Sequence, residues 1–325
     1  MSTLSASAVS PRRKPSLSEI YEKYGLFVIL IGLCVLFTCL NPNFFSLYNL
    51  LNIFKQSSIN GLIAFGMTFV ILLGCIDLSV GSVLALVGYL TGVMLVNFQL
   101  PIAIALPVAL ELGIILGLIN GLLVARVKLQ PFIATLITMT VYRGLTLIIS
   151  DGMPVRNIGD VSSIIAWINR GSIGILPVSM IVFLVVLVIL MVLLHKTVFG
   201  RQLYATGGNE EAARLSTVPT DKIKILGYML CGLLSAMAAI LYIARYNSIY
   251  PNAGVGMELD AIAAVVIGGT SMTGGRGRIT GTFIGVLIIG VLNNGLNLLG
   301  ISSFYQEVIK GLVILFAVVI DIKKK

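Results

Sequence analysis

Charge and histidine are both scarce: charged residues make up 11% of the 325-residue chain, and there is a single histidine. One imidazole, His195, cannot build a metal centre without further ligands beside it. With no convincing nucleophile and base pair elsewhere, the chain also lacks the parts of an intramembrane enzyme. His195 abuts Lys196 at the end of an apolar run, where a solvated interfacial side chain is expected. The four cysteines, Cys34, Cys39, Cys75 and Cys231, sit in or beside apolar runs with no Cys-x-x-Cys spacing. That pattern excludes a redox or zinc motif and leaves them as small core hydrophobes. No Gly-x-x-x-x-Gly-Lys-Ser/Thr sequence occurs, nor even a Gly-Lys dipeptide, so the chain cannot hydrolyse ATP through a phosphate loop. The glycine-rich stretch Gly268–Arg278 lacks the preceding strand and following soluble helix of a phosphate cradle, and reads as a tight cytoplasmic reversal between two spans.

Apolar residues are what the chain has in excess. They form 58% of it and the mean hydropathy is +1.04, more than one soluble core could hide. Lipid is therefore the expected solvent, and in lipid every backbone polar group must be satisfied within a helix or a closed barrel. The runs are long and continuous rather than alternating, which selects an all-α polytopic fold. The net charge of +9 is scattered between the runs instead of forming a stripe, so a nucleic-acid partner is excluded and membrane orientation explains the basic residues.

About ten spans are expected: Gly25–Leu40, Ile59–Ile76, Leu78–Val96, Leu100–Ala125, Phe132–Ser150, Leu176–Leu194, Ile225–Ala244, Asp260–Thr270, Thr280–Leu299 and Phe304–Ile320. The eighth is too short to cross a hydrocarbon core of about 30 Å at about 1.5 Å per residue, so a partial helix buried among its neighbours is expected there. The first run is not followed by a small-residue cleavage site and is read as a retained helix. With both ends in the cytoplasm, inside segments carry 16 Lys and Arg against four outside. This bias sets the organisation: residues 1–24 as a cytoplasmic segment, 25–320 as the membrane domain with a cytoplasmic loop at 200–224, and 321–325 as a cytoplasmic tail.

Small residues recur at four-residue spacing in Gly88 and Gly92, in Gly113, Gly117 and Gly121, and in Gly281 and Gly285, a spacing that brings helices close together in lipid. The string Ile114–Leu122 is echoed by Ile288–Leu296, on helices that run in opposite directions by the charge count. An inverted repeat of spans two to five in spans seven to ten would require that relation.

Ionisable groups at membrane depth carry a functional expectation. Glu111 is the deepest, with two roles open to it, an interhelical hydrogen bond or a part in solute passage or proton coupling. Arg143 is the second intramembrane polar candidate. Glu307 and Lys310 are three residues apart on one helix and are expected to pair with each other. Asp77, Ser79 and Gly81 stand where one run ends and the next begins, and read as a structural turn in which Asp and Ser cap the following helix.

The most distinctive segment is the polar stretch from Gly200 to Lys224, which lipid could not hold and which nothing else in the chain uses. Together with Asn41-Pro42-Asn43-Phe44-Phe45, the segment Gly74–Gly81, the segment Glu258–Ser271 and Asn293-Asn294-Gly295-Leu296-Asn297, it makes the chain resemble the permease subunit of ribose-type ABC sugar importers, in the wider group of ribose, xylose, arabinose, galactoside and branched-chain permeases. The resemblance covers essentially the whole chain. It implies a type II importer-like fold and an assembly with a second permease copy or a paralogue, a cytoplasmic ABC ATPase and a periplasmic or lipid-anchored sugar-binding protein, in the bacterial inner membrane, with no cofactor of its own. In that setting Gly200, Arg201, Gly207, Gly208, Asn209, Glu210, Glu211, Ala212, Ala213 and Arg214 form the ATPase-coupling loop, since Glu211-Ala212-Ala213 looks like the Glu-Ala-Ala element of ABC permeases and a short helix with small residues suits a partner's groove.

Two positions depart from the family's pattern. Ser216-Thr217-Val218 stands where relatives usually have Ser-Gly-Ile or Ser-Gly-Val, and a β-branched Thr resists the positive φ that glycine adopts easily. Cys75 replaces a usual glycine. The expected function is a non-enzymatic permease for a pentose or related monosaccharide, with ATP hydrolysis in a partner subunit. The rival is an ion-coupled secondary sugar transporter using Glu111 and Arg143, which leaves the Glu-Ala-Ala segment without a purpose.

Overall fold

The computed structural model describes residues 17–323. The expected cytoplasmic segment 1–24 lies mostly outside the described residues, as does the end of the tail, and the chain is already helical from Leu17. Among the described residues the fold is all-α apart from two short ribbons. In order, the helices are α1 (Leu17–Leu40), α2 (Leu47–Leu72), α3 (Val80–Val96), α4 (Ile102–Ala125), α5 (Pro131–Ser150), α6 (Ile158–Val161), α7 (Ser163–Arg170), α8 (Val178–Lys196), α9 (Val198–Gly208), α10 (Glu210–Leu215), α11 (Thr220–Tyr246), α12 (Met257–Ile267), α13 (Ile279–Leu298) and α14 (Ser303–Lys323). Each of the ten apolar runs is a helix, and α4, α5, α8, α11 and α13 are long and apolar enough to cross a membrane by themselves.

The boundaries differ from expectation in one informative place. α2 begins at Leu47, twelve residues before the apolar run, and this leading stretch is rich in polar side chains. Two of them find partners in different ways: Asn49 Nδ2 donates to Phe44 O (2.8 Å) and exchanges hydrogen bonds with the distant Asn294 amide (2.9 Å each way), while Ser58 Oγ donates one turn back to Phe54 O (2.7 Å). α12 is short, as expected.

The helices pack in an exchanged pattern. α4 runs along α11 and α13 runs along α2, while α3 lies on α5 and α11 and α12 lies on α14 and α2. Each half thus builds its tightest contacts on the long helix of the other half. The α4–α11 contact is backbone on backbone. A side chain at Gly113 or Gly117 would overlap the carbonyl oxygens of Gly232 or Tyr228, and one at Gly121 would meet the Ile225 backbone. The core centres on α2, α3 and α11, with Phe65 stacked on Phe183 of α8 at 4.9 Å. α6 and α7 lie in the connection between α5 and α8, where a strand β1 (Val155–Arg156) pairs antiparallel with β4 (Ser248–Ile249), and β2 (Ser172–Ile173) pairs with β3 (Leu176–Pro177).

Candidate functional site

The polar segment expected as a partly helical loop is helical almost throughout. Thr197 caps α9, accepting from the Gly200 N–H (3.3 Å), and Gly200 lacks a side chain where one would overlap the Leu194 carbonyl, so α9 folds back tightly from the end of α8. At the other end of α9, a Cβ on Gly207 would overlap the carbonyl oxygen of Leu72, the last residue of α2. The same carbonyl accepts from the Gly275 N–H (2.9 Å), and Tyr204 Oη donates to Gly277 O (2.7 Å). α9 is therefore fixed at once to the end of α2 and to the glycine-rich turn before α13.

Asn209 separates α9 from α10 and caps the latter, its Oδ1 accepting from the Ala212 N–H (2.9 Å). This is the ordinary use of Asn before a helix. Glu210, in the first turn, holds Lys224 Nζ at 2.6 Å and Arg214 Nη2 at 3.1 Å, while Asp221 holds Lys128 at 2.8 Å and Arg214 at 3.5 Å. Partial burial opposes ionisation of Glu210, but the hydrogen bond and charge of Lys224, with Arg214 and Lys128 beyond, outweigh it and hold the carboxyl below the usual range. Asp221 is lowered too, first by the hydrogen bond from Lys128, against partial burial, with further help from the charges of Lys128, Arg214 and Arg126.

These contacts divide the expected coupling residues into two groups. Gly200, Gly207, Asn209, Glu210 and Arg214 build the platform, and Ala213 is buried beneath it. Arg201, Gly208, Glu211 and Ala212 are exposed. Leu215 was missed by sequence reasoning, yet it is 82% exposed on the same short helix as Glu211 and Ala212. Its signal was available: positions four and three residues after Glu211 and Ala212 share their face of a helix. α10 ends in a Schellman turn, Val218 N–H to Ala213 O (3.0 Å) and Thr217 N–H to Arg214 O (3.1 Å), with Thr217 at φ +65°. The position flagged by the missing glycine does adopt the conformation that glycine favours.

Inside the membrane domain, Asp77 is buried and accepts from the Ser79 N–H (2.9 Å), Ser79 Oγ (2.7 Å) and Asn120 Nδ2 (3.3 Å). Asp77 lies in the reversal between α2 and α3, and Ser79 does not cap α3 with its side chain, because its hydroxyl is directed to Asp77. Gly81 is not a turn residue. It lies in the first turn of α3, and a side chain there would overlap the Gly254 carbonyl.

Arg143 is half-buried and donates through Nη1 to Pro251 O (2.8 Å) and Ala253 O (2.7 Å). It sits about 18 Å along α5, so these are carbonyls of irregular backbone at membrane depth, which is tolerated only where protein supplies the missing hydrogen bonds. Glu111 is exposed on α4 and makes no hydrogen bond or ion pair among the described residues, so of the two roles open to it the interhelical hydrogen bond has no partner there. The expected Glu307–Lys310 pair is also replaced: Lys310 Nζ reaches Asp260 of α12 at 3.3 Å, a tertiary partner that helical spacing could not reveal.

Residues 49–318 match the family described as branched-chain amino acid transport system / permease component. The chain is 55% identical to the ribose import permease protein RbsC of Bacillus subtilis, over 94% of each chain. It is 46% identical to the ribose import permease protein RbsC of Escherichia coli strain K12, over 99% of this chain and all of that one. It is 39% identical to the L-arabinose transport system permease protein AraH of the same strain, over 99% and 97% of the two chains. No solved structure matches it.

Proposed function

The chain belongs to the branched-chain amino acid transport system / permease component family, and on that premise we propose that it is the membrane-spanning subunit of an ATP-driven importer whose substrate is ribose. The substrate follows the names of its relatives, to which it is alike along nearly its full length. Chemistry is absent from this role: the subunit offers a path and a surface to be moved by, while ATP is hydrolysed in a cytoplasmic partner. A second copy or a paralogue completes the path, and a periplasmic or lipid-anchored binding protein delivers the sugar on the opposite side. Both termini and α9–α10 face the cytoplasm of a bacterial cell in this reading, in keeping with the excess of Lys and Arg in those segments.

The observation that carries the reading is the exposed face Glu211, Ala212 and Leu215 on a short helix held rigidly from behind. A flat surface tied to α11 by ion pairs and to α2 through α9 suits the transfer of force better than solvation. Movement of the ATPase against α10 reaches Leu72 through Gly207 and Gly275, and from there the reversal around Asp77. The ion-coupled alternative gains nothing, since Arg143 is engaged with two carbonyls and Glu111 lies apart on an outer surface.

The test is Glu211→Lys and Ala212→Trp in the complex reconstituted with its ATPase and binding protein. Correct insertion with weakened ATPase association, or with hydrolysis no longer tied to ribose uptake, is the expected outcome. Full ATPase binding and wild-type uptake by both variants would remove the docking surface from this face. Ribose accumulation by the chain alone under a proton or sodium gradient would replace the importer with a secondary transporter.

A further inference from the structure

One polar cluster of the membrane domain is unused by the docking surface and by the turns described above. Between α2, α12 and α13 lies a cavity of about 10 Å³ lined by Gln56, Ser57, Asn60, Asp260, Asn293 and the backbone of Gly290, together with apolar residues. Ser57 and Asn293 are 1% and 8% exposed, and among the described residues Ser57 Oγ and Asn293 Oδ1 have no hydrogen-bond partner. Lys310 of α14 pairs with Asp260 of this lining at 3.3 Å, and neither of these two side chains is fully covered. Ser57 stands two residues before the apolar run of α2, and Asn293 lies about 21 Å along α13.

Bare polar atoms buried in this way are costly, and each is expected to have a partner. Hydrocarbon cannot be that partner. Gln56, Asn60 and Lys310 are only partly buried, so the cluster reaches the surface of the single chain and lies open to whatever medium is beside it. The space holds about one water molecule, which is also the space of one hydroxyl group. The chemistry offered is mixed: a carboxylate acceptor, an ammonium donor, three amides that both donate and accept, and a hydroxyl. It carries an internally neutralised pair instead of a net charge, which fits a neutral polyhydroxylated solute better than an ion.

We propose that Gln56, Ser57, Asn60, Asp260, Asn293 and Lys310 form a hydroxyl-binding station on the translocation path, which a sugar engages in passing. Asn293 Oδ1 and Ser57 Oγ accept from its hydroxyls, and the Asp260–Lys310 pair lends one acceptor and one donor at the entrance. The proposal rests on the importer reading. Gly290 is part of the device, because a side chain there would overlap Ser57 Oγ and fill the space a hydroxyl needs.

The experiment uses the complete complex with its ATPase and binding protein in vesicles. Wild-type complex must first take up ribose with ATP; if it does not, the importer reading fails whatever the cluster does. Asn60→Cys is then exposed to a membrane-impermeant methanethiosulfonate during turnover, with wild-type complex reporting the labelling of Cys34, Cys39, Cys75 and Cys231. Labelling above the wild-type level, slowed severalfold by saturating ribose, supports the station. Absence of labelling, or labelling that ribose does not slow, overturns it and leaves the cavity to a structural water. Ser57→Ala and Asn293→Ala supply the second readout: ribose uptake at limiting sugar falls about tenfold while ATPase association is retained, and uptake at the wild-type level in both overturns the proposal. If an alanine variant fails to assemble, the cysteine labelling decides by itself.

Discussion

Replacing Thr217 with glycine should tighten the exit from α10. Thr217 occupies the C′ position of a Schellman turn at φ +65°, and the two hydrogen bonds that close the turn leave it no freedom to relax. A residue with a Cβ gives up about 1–2 kcal/mol in that conformation, and branching at Cβ does nothing to relieve it. Glycine removes the strain but brings more backbone entropy to the unfolded chain, which takes back about 0.5–1 kcal/mol. The net gain is about 1 kcal/mol, roughly a fivefold slower local opening. Hydrogen exchange of the Ser216, Thr217 and Val218 amides in the detergent-solubilised protein reads this directly, because all three donate within the turn. Thr217→Asn should recover part of the gain, since Asn tolerates the left-handed region, whereas Thr217→Val should recover none. Equal exchange rates in the Thr, Asn and Gly proteins would refute the reasoning, and faster exchange in the Gly protein would reverse it.

Arg143→Met removes both hydrogen bonds to the Pro251 and Ala253 carbonyls and should lower folded-state stability by about 2–3 kcal/mol, seen as a reduced melting temperature in detergent, with Arg143→Lys in between. Glu111→Gln should leave ribose uptake at the wild-type level, because no partner among the described residues is lost; a large fall with normal assembly would give the charge a role in transport. The lowered Glu210 and Asp221 carboxyls stabilise the α10–α11 contact fully above the ordinary carboxylate range and lose that contribution as pH falls below that range through their lower folded values. Carboxyl NMR titration should place the Glu210 midpoint below that of a free glutamate and show it rising in Lys224→Met; a midpoint that stays put would mean that Lys224 does not set it.

Hydropathy alone was enough to find every long helix, because a span must be apolar over most of its length whatever it packs against. It failed where a span is polar and its polar groups are satisfied by distant residues. The start of α2 was hidden because Asn49 depends on Asn294, which is 245 positions away. Lys310 was assigned to Glu307 for the same reason, its true partner Asp260 being on another helix. The Glu-Ala-Ala segment was visible as a motif, but only folding shows that Glu210 is bound from behind by Lys224 while Glu211 is free to meet a partner. Asp77 was legible as a turn residue since its main contacts lie two positions away. Local chemistry can be read along the chain, and long-range pairing cannot.

The glycine seam between α4 and α11 limits how this protein can change shape. Helices separated by side chains can slide, because rotamers adjust as the surfaces pass; here Gly113, Gly117 and Gly232 bring main chain against main chain, with no rotamers to adjust. α4 precedes the α9–α10 segment and α11 follows it, so the seam welds the two sides of the chain into a single strut. Hinging of one of these helices on the other is blocked along the seam. On the importer reading, a passage for solute has to open away from this seam, at helix contacts made by side chains that can rearrange.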